Sequence, residues 1–183
     1  MLEQFPKSEQ EGQNYLEERQ YFAKWDTYLD KAESGPRWLS QPEIASIVKE
    51  AMQYRDGKVV DVHAFCIMSN HVHVVFESLS KSEWHSDQRN SEWHSDPHKS
   101  GYQPDLPLSK IMQSLKRHTA RQANLVLGRQ GAFWQDESYD HVIRDNEEYI
   151  RIINYVLENP VKAGLVAQWD EWRWTYCKPD ILK

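Results

Sequence analysis

The sequence predicts an α+β domain, with an antiparallel sheet that carries a His-x-His pair on a central strand and with helices packed on that sheet. Two observations point there. Val60–Ile67 is a β-branched and aromatic run, and after a polar break at Met68-Ser69-Asn70 an alternating segment follows from His71 to Phe76, the pattern of two successive strands. On either side lie segments with apolar residues at helical spacing, some opened by capping patterns.

The 183 residues are enough for one domain with a substantial core. Hydrophobic residues at 39% and charged residues at 27% suit a soluble globular chain, and eight Trp and nine Tyr are generous for its length. No apolar run approaches the roughly 20 residues a membrane span needs. The first residues lack the basic start and apolar core of a signal peptide. Cys66 and Cys177 stand alone, which indicates neither a zinc knuckle nor a disulfide scaffold. The expected location is cytoplasmic.

A net charge of −6 argues mildly against a nucleic-acid partner, but the charge is unevenly spread. Between Ser109 and Gln130 there are Lys110, Lys116, Arg117, Arg121 and Arg129 and no acidic residue.

Residues 1–14 read as a flexible lead-in, and residues 15–178 as the folded domain. A first helix is expected from Tyr15 to about Ala32. Ser40-Gln41-Pro42-Glu43 resembles a capping box with proline in the first turn, so a second helix should turn Ile44, Ile47, Val48, Ala51 and Met52 inward and stop at Asp56-Gly57.

The two strands follow. Successive side chains alternate between faces, so His71, His73 and Val75 share one face while Val72, Val74 and Phe76 point into core. The imidazoles then stand about 7 Å apart along the strand, near enough to converge on one metal ion. Taken alone, the pair is more often two half-buried histidines with ordinary hydrogen bonds than a metal site.

At about 80–105 the chain is polar, and Ser82-Glu83-Trp84-His85-Ser86-Asp87 recurs as Ser91-Glu92-Trp93-His94-Ser95-Asp96. Two short copies do not make a solenoid, and the segment reads as a duplicated mobile loop. A third helix should start at Ser109 and stop at Gly128, burying Leu108, Ile111, Met112, Leu115, Thr119, Ala123 and Val126. Lys110, Arg117 and Arg121 share another face, which is either a solvated basic face or a ridge for phosphates.

A short strand is expected around Tyr139–Ile143. Asp145-Asn146-Glu147-Glu148 is a second capping box, with Asp145 as N-cap and Glu148 reaching back. The helix it opens has Tyr149, Ile152, Ile153 and Val156 as its inward stripe. Arg151, Tyr155 and Asn159 lie on a different face at i, i+4 spacing. Pro160 disfavours a helical conformation at Asn159, so the helix should end there. A final aromatic segment runs from Trp169 to Tyr176. Trp134 and His141 read as packing beneath the site, and Arg144 as either a phosphate contact or a cap.

Four segments then occur in order: Met68-Ser69-Asn70-His71-Val72-His73, Phe133-Trp134-Gln135, Tyr139 to Arg144, and Asn154 to Val166. Together the set resembles the REP-associated tyrosine transposases, a branch of the single-tyrosine HUH transposases of bacterial insertion sequences. The similarity runs from about residue 15 to residue 176. Ser69 stands where that family usually has Pro, and residues 1–14 do not read as the sheet strand with which it normally opens.

The resemblance implies a ferredoxin-like HUH fold, with His71 and His73 as metal ligands, Asn159 in the third ligand position and Tyr155 as nucleophile. The ion implied is Mg²⁺ or Mn²⁺. The substrate implied is single-stranded DNA near a hairpin, cleaved through a covalent 5′-phosphotyrosine that leaves a free 3′-hydroxyl for strand transfer. Lys110, Lys116, Arg117, Arg121 and Arg144 are the candidate DNA contacts, and monomer and homodimer both stay open. Two other readings are a non-catalytic hairpin-binding remnant of a transposase and a metal-dependent nuclease that uses activated water.

Overall fold

The computed structural model describes residues 35–79, 107–136 and 138–181. The lead-in, the helix expected over Tyr15–Ala32 and the repeat-bearing loop lie outside the described residues. The rest is α+β. Three helices, α1 (Pro42–Arg55), α2 (Leu108–Val126) and α3 (Asn146–Lys162), accompany three strands, β1 (Val60–Ile67), β2 (Val72–Ser78) and β3 (Thr175–Cys177). No helix among the described residues is long and apolar enough to cross a membrane.

The strands form an antiparallel sheet in the order β2-β1-β3. This corrects one expectation. Among the described residues the central strand is β1, and β2, which carries His73, forms an edge. The burial pattern explains the placement. Ala64 to Ile67 is a continuous apolar run and is fully buried, as a strand covered on both faces and paired on both sides must be, whereas most of β2 is half-buried.

Helix α1 and β1 share one core with Ile111 and Ala123 of α2, and α3 packs a second core against the opposite face of the sheet. A register shift between Val62 and Ala64 makes this possible. Val60 and Val62 face the α1 side, and after the extra residue at His63 it is Phe65 and Ile67 that face it, leaving Ala64 and Cys66 toward α3. Phe65, Ile67, Ile44, Ile153 and Leu157 are fully buried, each contributing about 1.5–3 kcal/mol of hydrophobic stabilisation. On β2, Val72, Val74 and Phe76 pack on the α1 side and Val75 on the α3 side, as the alternation predicts.

The helix ends show what the local chemistry decides. Gln41, rather than Ser40, is the N-cap residue of α1, with Pro42 in its first turn. The Ser40 hydroxyl donates instead to the Arg37 carbonyl at 2.7 Å. Helix α2 begins at Leu108, one residue before the expected cap, and leaves Leu108 and Val126 exposed. It ends at Gly128, where φ is +62° and the Arg129 amide donates to the Asn124 carbonyl, a Schellman closure.

Asp145 caps α3 as expected, accepting from the Glu148 amide at 2.8 Å. The helix nevertheless continues through Pro160 to Lys162. Proline removes only the one N–H that would have met the Val156 carbonyl, and Pro160 is itself buried. The stop comes from Gly164, at φ +68°, with the Leu165 amide closing on the Pro160 carbonyl.

The expected strand at Tyr139–Ile143 is absent, and this stretch has no regular structure. Tyr139 and Val142 are exposed, so the segment lacks the half-buried face a strand needs. In its place, Thr175 and Tyr176 at the end of the final aromatic segment, with the following Cys177, form β3, with Ala64 opposite Cys177 and Cys66 opposite Thr175.

Candidate active site

The turn from β1 into β2 closes with the Met68 amide donating to the His71 carbonyl at 2.9 Å. His71 is buried at the mouth of β2, and His73 lies opposite Cys66 on the α3 side of the sheet. Their Nε2 atoms are 2.9 Å apart and their rings are nearly perpendicular. Two nitrogens each about 2.1 Å from one ion and subtending a right angle would lie about 3.0 Å apart, so this spacing fits a shared cation. Asn70 Oδ1 lies 2.8 Å from His71 Nδ1. It accepts the Nδ1 proton and so leaves the His71 Nε2 lone pair directed at the His73 side, the outer support a ligating histidine normally has. Sequence reading missed the role of Asn70, although its place immediately before His-x-His was visible.

Helix α3 supplies the other half. The Tyr155 ring meets His73 edge-on, with centroids 5.7 Å apart. Lys162 places its ammonium over that same ring, 4.3 Å from the centroid. Lys162 was not foreseen, because a helix ending at Asn159 would not have carried it back over Tyr155. Asn159 is fully buried and donates from Nδ2 to the Tyr155 carbonyl at 3.0 Å. Its Oδ1 is buried without a hydrogen-bond partner among the described residues, an acceptor of the kind a cation satisfies. No group of three His, Cys, Asp or Glu side chains among the described residues could hold a metal.

The basic residues fall into separate places. Lys110, Arg117 and Arg121 are exposed on α2, which packs with the α1 core across the sheet from Tyr155. The structure therefore does not bring them to the histidine pair. Lys116 is half-buried and donates to the carbonyls of Gln135 and Asp136, at 2.8 and 3.3 Å. Burial lowers its pKa, against the opposing pull of Asp140 and Asp136. Lys116 is thus a strut between α2 and the following loop. Trp134 supports the same junction, its indole N–H donating to Thr119 at 2.8 Å.

Arg144 is exposed beside α3, on a backbone held by Glu148. That buried carboxylate accepts from the Arg144 amide at 3.0 Å and also meets His141 and Arg151. It reaches one residue further back than a simple capping box requires. His141 thus serves as a hydrogen-bond partner of Glu148 at the start of α3.

A second tyrosine–histidine pair sits further toward the start of α3. The Tyr149 hydroxyl is 3.1 Å from His63 Nδ1, and His63 Nε2 is 3.6 Å from Asp61, which Lys178 holds at 2.7 Å. Burial raises the Tyr149 pKa, the nearby Cys177, Asp61 and Glu77 add to the rise, and Lys178 opposes it.

No family model matches the chain. Over 50 residues it is 32% identical to the REP-associated tyrosine transposase of Escherichia coli (strain K12), a match that spans 27% of this chain and 30% of that protein. It is also similar to a solved structure described as the REP-associated tyrosine transposase bound to a REP hairpin, with 18% identity and a TM-score of 0.49. That similarity covers 76% of this chain and 67% of the other. The chain is therefore similar, over part of its length, to the same family that its ordered motifs resemble.

Proposed function

We propose that this protein is a DNA-nicking and strand-transferring enzyme of the REP-associated tyrosine transposase type, with Tyr155 as nucleophile and single-stranded DNA beside a hairpin as substrate. One observation carries the reading: the paired Nε2 atoms of His71 and His73 and the ring of Tyr155 meet at one place, from two separate elements.

In the first step Tyr155 Oη bonds to phosphorus and the bond from phosphorus to the 3′-oxygen breaks. The phenol proton is lost and the departing 3′-oxygen gains one. The products are a 5′-phosphotyrosine and a free 3′-hydroxyl. The covalent link keeps the energy of the broken bond, so a later 3′-hydroxyl can reseal the strand without ATP. His71, His73 and Asn159 would hold a divalent ion, Mg²⁺ or Mn²⁺, which when bound neutralises charge on a non-bridging phosphate oxygen. Asn70 fixes the tautomer and ring of His71. Arg144 is the candidate phosphate contact on the α3 side, and Lys110, Arg117 and Arg121 are candidates for DNA passing over the opposite layer.

A labelled hairpin oligonucleotide incubated with Mn²⁺ and run on a denaturing gel tests this. The wild type should give a protein–DNA adduct and Tyr155→Phe none. The catalytic reading fails if the wild type gives no adduct. A second reading, hairpin binding without catalysis, is favoured by the placement of the α2 ridge across the sheet from the histidine pair. Its mark is salt-sensitive binding that survives Tyr155→Phe, with no adduct from either protein.

A further inference from the structure

We propose that Lys162 is the charge partner of Tyr155, stabilising the negative charge on the phenol oxygen when Tyr155 departs from phosphorus and the DNA strand is resealed. The proposal rests on Tyr155 being the nucleophile and adds a residue that neither the motifs nor the comparisons assign.

The geometry is specific. Lys162 is the last residue of α3, and its ammonium lies 4.3 Å from the Tyr155 ring centroid. The helix reaches Lys162 only because it passes through Pro160 and stops at Gly164. Among the described residues no carboxylate is within ion-pair distance of Lys162, so its charge is not already neutralised by one. Its position at a helix C-terminus favours a cation.

A cation over a neutral aromatic face is attracted by the ring's quadrupole, and a ring bearing a full negative charge attracts it more strongly. The contact therefore strengthens as charge develops, which is the condition for an interaction to speed a chemical step rather than only to bind. In resealing, the 3′-oxygen bonds to phosphorus and gives its proton to water. The bond from phosphorus to Tyr155 breaks, and its electron pair goes to the phenol oxygen and is shared with the ring that lies beneath the Lys162 ammonium. The phenolate then takes a proton back from water.

The test compares wild type, Lys162→Met and Lys162→Arg on the labelled hairpin with Mn²⁺, measuring adduct formation and resealing at saturating DNA. Lys162→Met should slow both by about 10-fold with the half-saturating DNA concentration unchanged, and Lys162→Arg should recover most of the rate. Difluorotyrosine at position 155, whose phenolate is intrinsically more stable, should shrink the gap between Lys and Met. Rates equal to wild type in Lys162→Met, a loss confined to DNA affinity, or a gap untouched by the fluorinated ring would each overturn the proposal. The contact has its own readout without DNA or metal. The Lys162 ε-protons should show an upfield ring-current shift in NMR that disappears in Tyr155→Leu, and its absence counts against the proposal. No adduct from the wild type would bring down the nucleophile reading and this one with it. An adduct formed equally fast by Lys162→Met would remove this one alone.

Discussion

Helix α3 sets two tyrosines against two histidines of the same sheet, and the pairs are built oppositely. Tyr149 and His63 share a hydrogen bond, and Asp61 stands behind the histidine. A nucleophile, a base and an orienting carboxylate are all there in outline. Tyr155 meets His73 ring to ring, beside a second imidazole and beneath an ammonium. For attack on a phosphodiester the second arrangement is the suitable one, because the substrate is an anion. Asp61 and Glu77 lie directly opposite each other across β1 and β2 and help to keep the Tyr149 phenol protonated, and the nearby Lys178 ammonium is already tied to Asp61. Hydrogen-bond geometry alone favours Tyr149, whereas the charge around each ring favours Tyr155.

The largest effect expected from this contrast is complete loss of the covalent adduct in Tyr155→Phe, with Tyr149→Phe within a few-fold of wild type on the same gel. Equal losses would erase the distinction. Next, His71→Ala should weaken Mn²⁺ binding, measured by calorimetry, by about 100-fold or more, while His63→Ala leaves it unchanged. Asn70→Ala should act through His71 and cost about 10–100-fold in the same titration.

Smaller effects belong to the other pair. Tyr149→Phe removes the hydrogen bond to His63 and should lower stability by about 1 kcal/mol in urea unfolding. The alkaline limb is the finest probe. The folded-state pKa of Tyr149 is raised above its ordinary value near 10, so its contribution to stability is fully present below that value and is lost as pH rises through the folded one. Tyr149→Phe should make stability fall less steeply above about pH 10. An unchanged slope would mean that Tyr176, Cys177 and Lys178, whose pKa values are raised as well, account for it instead.

Much of this was legible in the residues, for identifiable reasons. The alternation from His71 to Phe76 assigned each side chain to its face, because a period of two leaves no other choice once one face is apolar. The Asp145 cap was legible because its partner lies three residues away. Long-range facts were not. That β1 rather than β2 is central among the described residues depends on three residues near the C-terminus, too few to show any periodicity. The local bias of a proline against a helical residue before it points to a stop at Asn159, but the burial of Pro160 and the closure at Gly164 override it, and only the longer helix brings Lys162 over Tyr155. Lys116 looked like its basic neighbours because nothing in the helical pattern shows that the chain returns to cover it.

Glu148 has a further consequence for Arg144. The amide of Arg144 belongs to no helix or strand, yet it donates to a carboxylate that is buried and shared with His141 and Arg151. In hydrogen–deuterium exchange that amide should be protected as strongly as the first bonded amides of α3, whereas neighbours such as Val142 exchange quickly. The irregular stretch would then open only when the start of the helix opens, as one unit. An arginine positioned for phosphate would thus have an exposed side chain on a backbone as steady as a helix.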